Sequence, residues 1–257
     1  MDTWRTAIVD AGPDHIRVRG HDVLELMKRA TFTDHIFLLH HQRLPSEGER
    51  RLLDAILVGG ADHGAGAPSC AAARLAASGN RESLSAAIAA GILAIGDEHG
   101  GAGSSCMELI RQGLGRARAG SRSFDAVAAE LVGEAKQAKA RLPGFGHRVH
   151  SKIDPRVAVI FGLAKDAGLE GDGIRFARAL EAAIAAGIKP IPLNIDGALA
   201  AVLVDLGFPA LFGRLIFIIS RVAGISAEVL EEHTREKAMR IKIPVEYDGV
   251  PPVKDGQ

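Results

Sequence analysis

Four polar residues stand out because glycines flank them at the margins of apolar stretches. They are His63 in Asp62-His63-Gly64, His99 in Glu98-His99-Gly100-Gly101, His147 in Gly144-Phe145-Gly146-His147-Arg148, and Asp196 in Asn194-Ile195-Asp196-Gly197. Glycine at such positions lets a ligand approach the backbone closely. Imidazole and carboxylate together are the groups of acid–base chemistry. Taken singly, each has a plainer role: His63 and His99 as turn or capping histidines, His147 as a satisfied loop residue, Asp196 as a helix cap. His35, His40 and His41 read as structural, because no carboxylate or cysteine arrangement beside them points to a metal. No metal site is expected.

Other chemistries fit less well. The glycine-rich stretches lack the Gly-Lys-Ser/Thr ending of a nucleotide P-loop, and no Gly-x-Gly-x-x-Gly follows a strand. There is no Gly-x-Ser-x-Gly elbow, and neither Cys70 nor Cys106 sits beside a histidine, so covalent nucleophilic catalysis is disfavoured. The two cysteines form no Cys-x-x-Cys pair, which predicts no disulfide framework and a reducing, cytoplasmic setting. With 31 basic and 31 acidic residues interspersed, the chain carries no footprint for nucleic acid or an acidic membrane surface. Residues 1–5 contain no apolar run, and the most apolar window, 211–219, is interrupted by Arg214, so neither an export signal nor a membrane span is expected.

The elements that must position these groups are mostly helical. A chain of 257 residues, 47% hydrophobic, can bury one large core, with or without a small subdomain. β-Prone runs at 6–9 and 15–18 flank the turn sequence Ala11-Gly12-Pro13-Asp14 and predict an N-terminal ribbon within residues 1–20. From residue 21 onward the patterns are helical. Ser46-Glu47-Gly48-Glu49 is a capping box ahead of Leu52, Leu53, Ile56 and Leu57, and Gly59-Gly60 should stop that helix. Further helices are predicted at 68–78, 82–95, 102–117, 123–139, 155–167, 173–186, 196–206, 209–223 and 225–238, with Gly168 and Gly187 as stops and Asp154-Pro155 as a start. The Ala/Gly-rich helices at 84–94 and 177–187 bury little area per residue and need extensive packing, across a dimer for example. Residues 251–257 read as a loose tail or a partner-clasping arm.

As a set, these motifs resemble the citrate synthase superfamily. The most specific match is Pro143-Gly144-Phe145-Gly146-His147-Arg148-Val149 followed by Asp154-Pro155-Arg156. Ile16-Arg17-Val18-Arg19-Gly20, Asp62-His63-Gly64, His99-Gly100-Gly101-Ala102, Asn194-Ile195-Asp196 and Ser220-Arg221-Val222-Ala223-Gly224 support it in the family's order, across almost the whole chain. The chain is much shorter than a full citrate synthase, with about one helix between the Leu44-Pro45 region and Asp62. Val245 stands near the place of a substrate-binding arginine. The short length and the Asp62-His63-Gly64 and Leu193-Asn194-Ile195-Asp196-Gly197 forms look like citryl-CoA lyase and the lyase module of ATP-citrate lyase.

The resemblance implies a mainly α, citrate synthase-like helical fold forming a single unit over 1–257, with a small N-terminal β-ribbon and a trimmed small domain around 120–200. It implies carbon–carbon bond cleavage of citryl-CoA to acetyl-CoA and oxaloacetate, with His99 bonding the thioester oxygen, His147 the substrate hydroxyl, and Asp196 handling the acetyl proton. His63, Arg156 and Arg221 would meet the substrate carboxylates, because guanidinium forks match carboxylates. Pro143, Gly144, Phe145 and Gly146 would hold the adenine of coenzyme A, and Lys152 and Lys189 its phosphates. Coenzyme A enters as part of the substrate, with no tightly bound cofactor. The expected partners are a CoA thioester, a 2-oxo acid and a second copy of the chain in a homodimer or higher oligomer. Two alternatives stay open: a short citrate or 2-methylcitrate synthase, and a non-catalytic CoA-binding assembly subunit.

Overall fold

The computed structural model describes residues 3–146 and 154–250. Among these, three short strands precede eleven helices. Strands β1 (Val9–Gly12) and β2 (His15–Val18) pair antiparallel across Pro13-Asp14, and β3 (His21–Asp22) adds to β2. The first strand lies three residues later than its β-prone run, because the two-residue turn pairs Gly12 with His15 and thereby fixes Val9 opposite Val18. The Arg19 guanidinium donates to Leu39 O at 3.1 and 2.8 Å and to Ala7 O at 3.0 Å, stapling the ribbon to the helical body.

Helices α1 (Val23–Arg29) and α2 (Phe32–His41) follow, each begun by a side-chain cap, Asp22 and Thr31. His41 stacks on Phe37, meets Phe208 edge-on and donates from Nε2 to Leu206 O at 2.8 Å, while His40 packs on Phe212. These two histidines are packing residues. Helix α3 (Glu47–Gly60) begins at the Ser46/Glu49 capping box and ends at the glycine pair, as its sequence predicts.

The remaining helices are α4 (Pro68–Gly79), α5 (Leu84–Leu93), α6 (Ala102–Ala119), α7 (Phe124–Gln137), α8 (Pro155–Asp166), α9 (Asp172–Gly187), α10 (Ile195–Asp205) and α11 (Phe212–Arg235). The two helices expected on either side of residue 224 are one. Gly224 does not interrupt α11; it lets the chain after α3 cross the helix, since a Cβ there would meet Ala61 O at 2.1 Å.

Two cores result. The larger surrounds α10, whose residues 197–203 are all buried, and it includes Met107, Ile110, Phe176, Leu180, Phe208 and Phe212. Gly113 of α6 makes room there for the Phe176 ring. The smaller joins α4, α5 and α11 through Ala73, Ala77, Ala87, Ile225 and Val229. Among the described residues no helix is long and apolar enough to cross a membrane.

Candidate active site

Of the residues singled out from sequence, His63, His99, Arg156, Asp196 and Arg221 come together. His99 sits on a tight turn in which Gly96 N–H donates to His99 O at 2.9 Å and His99 N–H returns to Gly96 O at 3.3 Å. Gly100 adopts φ +91°, and a Cβ on it would come within 2.5 Å of the Phe217 ring, so the turn lies flush on α11. The imidazole meets Phe217 edge-on, with ring centroids 5.6 Å apart.

The next contact fixes the tautomer. Helix α4 has Ala67 at its cap position and Pro68 first, so its own cap residue offers no side chain to the leading amides. The Ser69 N–H donates instead to His99 Nε2 at 3.3 Å, and Ser69 Oγ lies 2.9 Å from the same nitrogen. A backbone amide only donates, so Nε2 accepts and the ring proton resides on Nδ1. Burial lowers the His99 pKa, and the charges of Arg221 and His63 lower it further. The ring is thus a neutral donor through Nδ1.

Arg221 is 4% exposed. Its Nε donates to Gly60 O at 3.0 Å, its Nη1 to Ser69 Oγ at 3.3 Å, and the guanidinium lies 4.6 Å from the centroid of Phe217. Among the described residues no carboxylate forms an ion pair with it. Burial pulls its pKa down, against the attraction of Cys70, Asp62 and Asp196. A buried guanidinium held only by neutral acceptors favours an incoming anion.

Arg156, at the start of α8, donates to Gly59 O at 3.4 Å. Both arginines therefore grip adjacent carbonyls at the C-terminus of α3, where the helix dipole is negative. Arg156 is also held by Asp154, the cap of α8, through Nε at 3.0 Å and Nη2 at 2.8 Å. Asp154 is 1% exposed; burial works against its charge, yet the hydrogen bonds from Arg156 hold its carboxyl below the ordinary range. Its Oδ2 also accepts the Ile195 N–H at 3.1 Å, tying the arginine to the residue before Asp196.

Asp196 lies in the first turn of α10, behind the Asn194 cap. Burial raises its pKa, while Arg156 and Arg221 oppose the rise. The loop before residue 147 is moored to the same turn: Asn194 N–H donates to Gly144 O at 3.0 Å, Asn194 Nδ2 to Gly146 O at 2.7 Å, and Gly146 N–H to Pro192 O at 2.8 Å. Phe145 and Leu193 form an antiparallel bridge. Gly144 takes φ +86°, and a Cβ there would clash with Cys106 Sγ at 2.6 Å and Gly197 Cα at 2.8 Å, so the close approach requires glycine. Pro143 and Phe145 are partly exposed at this edge.

Thus His99, Arg221, Arg156 and Asp196 share one electrostatic neighbourhood, with exposed His63 acting on both His99 and Asp196. Lys189 is exposed in the loop leading to Ile191, which packs against Gly146. His147 and Lys152 lie outside the described residues. Three contributors were not singled out from sequence for this role: Ser69, Asp154 and Phe217. Asp154 reads as a helix start, and Phe217 as one apolar residue of many. The only sequence signal for Ser69 is an Ala-Pro helix start without a capping side chain.

Comparison with known proteins places this geometry in context. The family model of the citrate synthase C-terminal domain matches residues 45–242. The citrate synthase of Helicobacter pylori is 31% identical over 209 residues, 76% of this chain and 46% of that protein. The 2-methylcitrate synthase of Shewanella oneidensis is 29% identical over 222 residues, 86% of this chain and 56% of that one. The chain spans about half the length of these curated relatives. The structure of citryl-CoA lyase from Hydrogenobacter thermophilus superposes with a TM-score of 0.90 at 36% identity, covering 98% of this chain and 97% of that one. ATP citrate lyase from Methanothrix soehngenii, solved with citrate and coenzyme A, shares the fold at 20% identity and a TM-score of 0.74, over 96% of this chain and 42% of that one.

Proposed function

Because the chain belongs to the citrate synthase family, we propose that it cleaves citryl-CoA to acetyl-CoA and oxaloacetate. The observation that carries this reading is the end-to-end correspondence with citryl-CoA lyase, at 36% identity over 98% of one chain and 97% of the other. The site chemistry agrees with it.

A thioester α-carbon is a weak acid, so releasing it as a carbanion requires a donor at the oxygen where charge accumulates. The Nδ1–H of neutral His99 is that donor. His147 takes the proton of the tertiary hydroxyl; the oxygen's electrons form the ketone, the carbon–carbon bond breaks, and its pair passes into the enolate of the acetyl thioester. Asp196, whose raised pKa favours its acid form, returns a proton to the acetyl carbon. Arg221 and Arg156, with His63, receive the carboxylates, and the 143–146 loop with Lys152 and Lys189 receives the nucleotide end of coenzyme A. Coenzyme A belongs to the substrate and product in this scheme. Exposed Val58, Leu75, Leu84, Leu93 and Leu230 on α3, α4, α5 and α11 favour a homodimer.

The test is to incubate the purified chain with synthetic citryl-CoA and follow acetyl-CoA and oxaloacetate. Their stoichiometric formation is expected. The synthase names among the relatives motivate a second reading, carboligation in the reverse direction by the same groups. Rapid thiol release from acetyl-CoA or propionyl-CoA with oxaloacetate, with no cleavage of citryl-CoA, would replace the first reading with the second.

A further inference from the structure

We infer that Arg214 and Asp97 form a charge-dependent clamp on the turn that carries His99, and that both are positioning residues for that imidazole. The inference rests on the reading of His99 as the thioester-oxygen donor.

The chain runs from Asp97 through His99 into the first turn of α6, and one residue of α11 grips it on both sides. Ahead of the histidine, Arg214 Nη2 donates to Asp97 Oδ1 in an ion pair. Beyond it, the Arg214 backbone N–H donates to Ser104 Oγ at 2.8 Å. The second grip is rigid. A Cβ on Gly213 would meet Ser104 N at 2.7 Å and the Gly103 carbonyl carbon at 2.8 Å, so the first turns of α6 and α11 touch backbone to backbone. The turn is equally tight on itself, since a Cβ on Gly101 would lie 2.7 Å from Asp97 Cα. Asp97 and His99 therefore move as one piece.

The first grip is the adjustable one. Nε and Nη2 form the edge of a guanidinium that matches a carboxylate in two parallel hydrogen bonds. Arg156 uses both on Asp154, and Arg240 uses both on Glu232. In Arg214 only Nη2 meets Asp97, while Nε is buried and finds no acceptor among the described residues. The Asp97 side chain is 88% exposed, so water and salt compete for its carboxylate. A half-closed pair with one partner in solvent adds little to folding. Its leverage lies in its place, two residues before His99: a misplacement of about 1 Å can cost a reacting group about 100-fold in rate.

The test uses the full chain labelled with nitrogen-15 histidine, with the His99 signals assigned by their loss in His99→Gln. Asp97→Asn, at an exposed position, and Arg214→Met should each displace or broaden the His99 resonances. Rising salt should carry the unaltered chain toward the same spectrum and leave both variants where they are. Asp97→Glu, which keeps the charge, should keep the unaltered spectrum at low salt. With citryl-CoA, kcat should fall by roughly 2- to 5-fold in either charge-removing variant while KM changes by less than about 2-fold. The double variant should fall no further than the worse single one, because the same pair is lost in all three. Unmoved His99 resonances in a folded Asp97→Asn chain overturn the inference, as do additive losses in the double variant or a Glu variant as impaired as the Asn one. Should Arg214→Met fail to fold, the two Asp97 variants decide alone. The resonances need no turnover, so absence of citryl-CoA cleavage would remove the lyase reading while the clamp stands or falls on the ring signals.

Discussion

The seam between α4 and α11 buries two arginines, and their surroundings differ in kind. Near the α4 N-terminus, Arg221 of α11 donates to a carbonyl and a hydroxyl, and burial drags its pKa down. One and a half turns along α4, Arg74 meets Glu228 at 2.5 Å, Glu231 at 3.2 Å and Glu232 at 3.0 Å. There too burial opposes the charge, but the glutamates outweigh it and raise the pKa. Glu232, with no exposed surface, also takes Arg240 at 2.5 Å, and Met239 N–H donates to Ser78 O, so the cluster anchors the chain leaving α11. The same side chain in the same seam serves cohesion where carboxylates are supplied and, under the proposed function, binding where they are withheld.

Replacing Arg74 by Met tests the cohesive end and should have the largest effect. It strands Glu232 without one of its two cations, and breaking a buried ion pair in this way costs about 3–5 kcal/mol. Urea unfolding should show that loss, while the folded fraction keeps its turnover. An unchanged midpoint would mean that the cluster contributes nothing and would erase the contrast with Arg221.

At the binding end the effects reverse. His99→Ala removes one aimed donor, so turnover should fall by roughly 10²–10³, about 3–4 kcal/mol of activation, with the unfolding midpoint preserved. Near-normal turnover would dismiss His99 from the mechanism. Arg221→Met is next: kcat/KM for citryl-CoA should drop by about 10- to 100-fold, as expected for losing charge-assisted hydrogen bonds worth about 1.5–3 kcal/mol. Stability should hold or rise, since the substitution replaces a buried cation that lacks a counter-ion by an apolar side chain. A large loss of stability there would make Arg221 a structural residue like Arg74.

The contrast also shows what a linear sequence reveals. The Ser46 capping box, the Asp154-Pro155 start and the apolar spacing of α3 are local signals, and local geometry obeyed them. The break expected between 223 and 225 is absent, because Gly224 serves a crossing chain. The glycine-flanked His99 and Asp196 were legible as chemistry, and Arg221 through the family resemblance of its segment. Ser69 was not, because its role depends on a histidine thirty residues away and on an amide left uncapped by Ala67 and Pro68. Nor was Asp154 as a link to α10, since its contact with the Ile195 amide spans 41 residues. Arg74 was equally silent: its three glutamates lie more than 150 residues away on α11.

A partly exposed arginine–glutamate pair sets the lower end of the scale. Arg43 bonds Glu49 at 2.6 and 2.9 Å, with about half of the arginine side chain in solvent. The Arg43 hydrogen bonds outweigh burial and hold the Glu49 carboxyl at about 2, against an ordinary 4.5. A carboxyl whose pKa is depressed by folding stabilises fully above its unfolded value, and the contribution vanishes as pH falls through the folded value. Glu49→Gln keeps an oxygen for the Ser46 amide, so the variant reports the charge and not the cap. It should be less stable by about 1 kcal/mol at neutral pH, the discount reflecting the exposure of Arg43. The difference should shrink between pH 4.5 and 2 and disappear below. A gap that persists in acid would assign the effect to the lost cap geometry, and a gap as large as that of Arg74→Met would show that burial does not separate the two pairs.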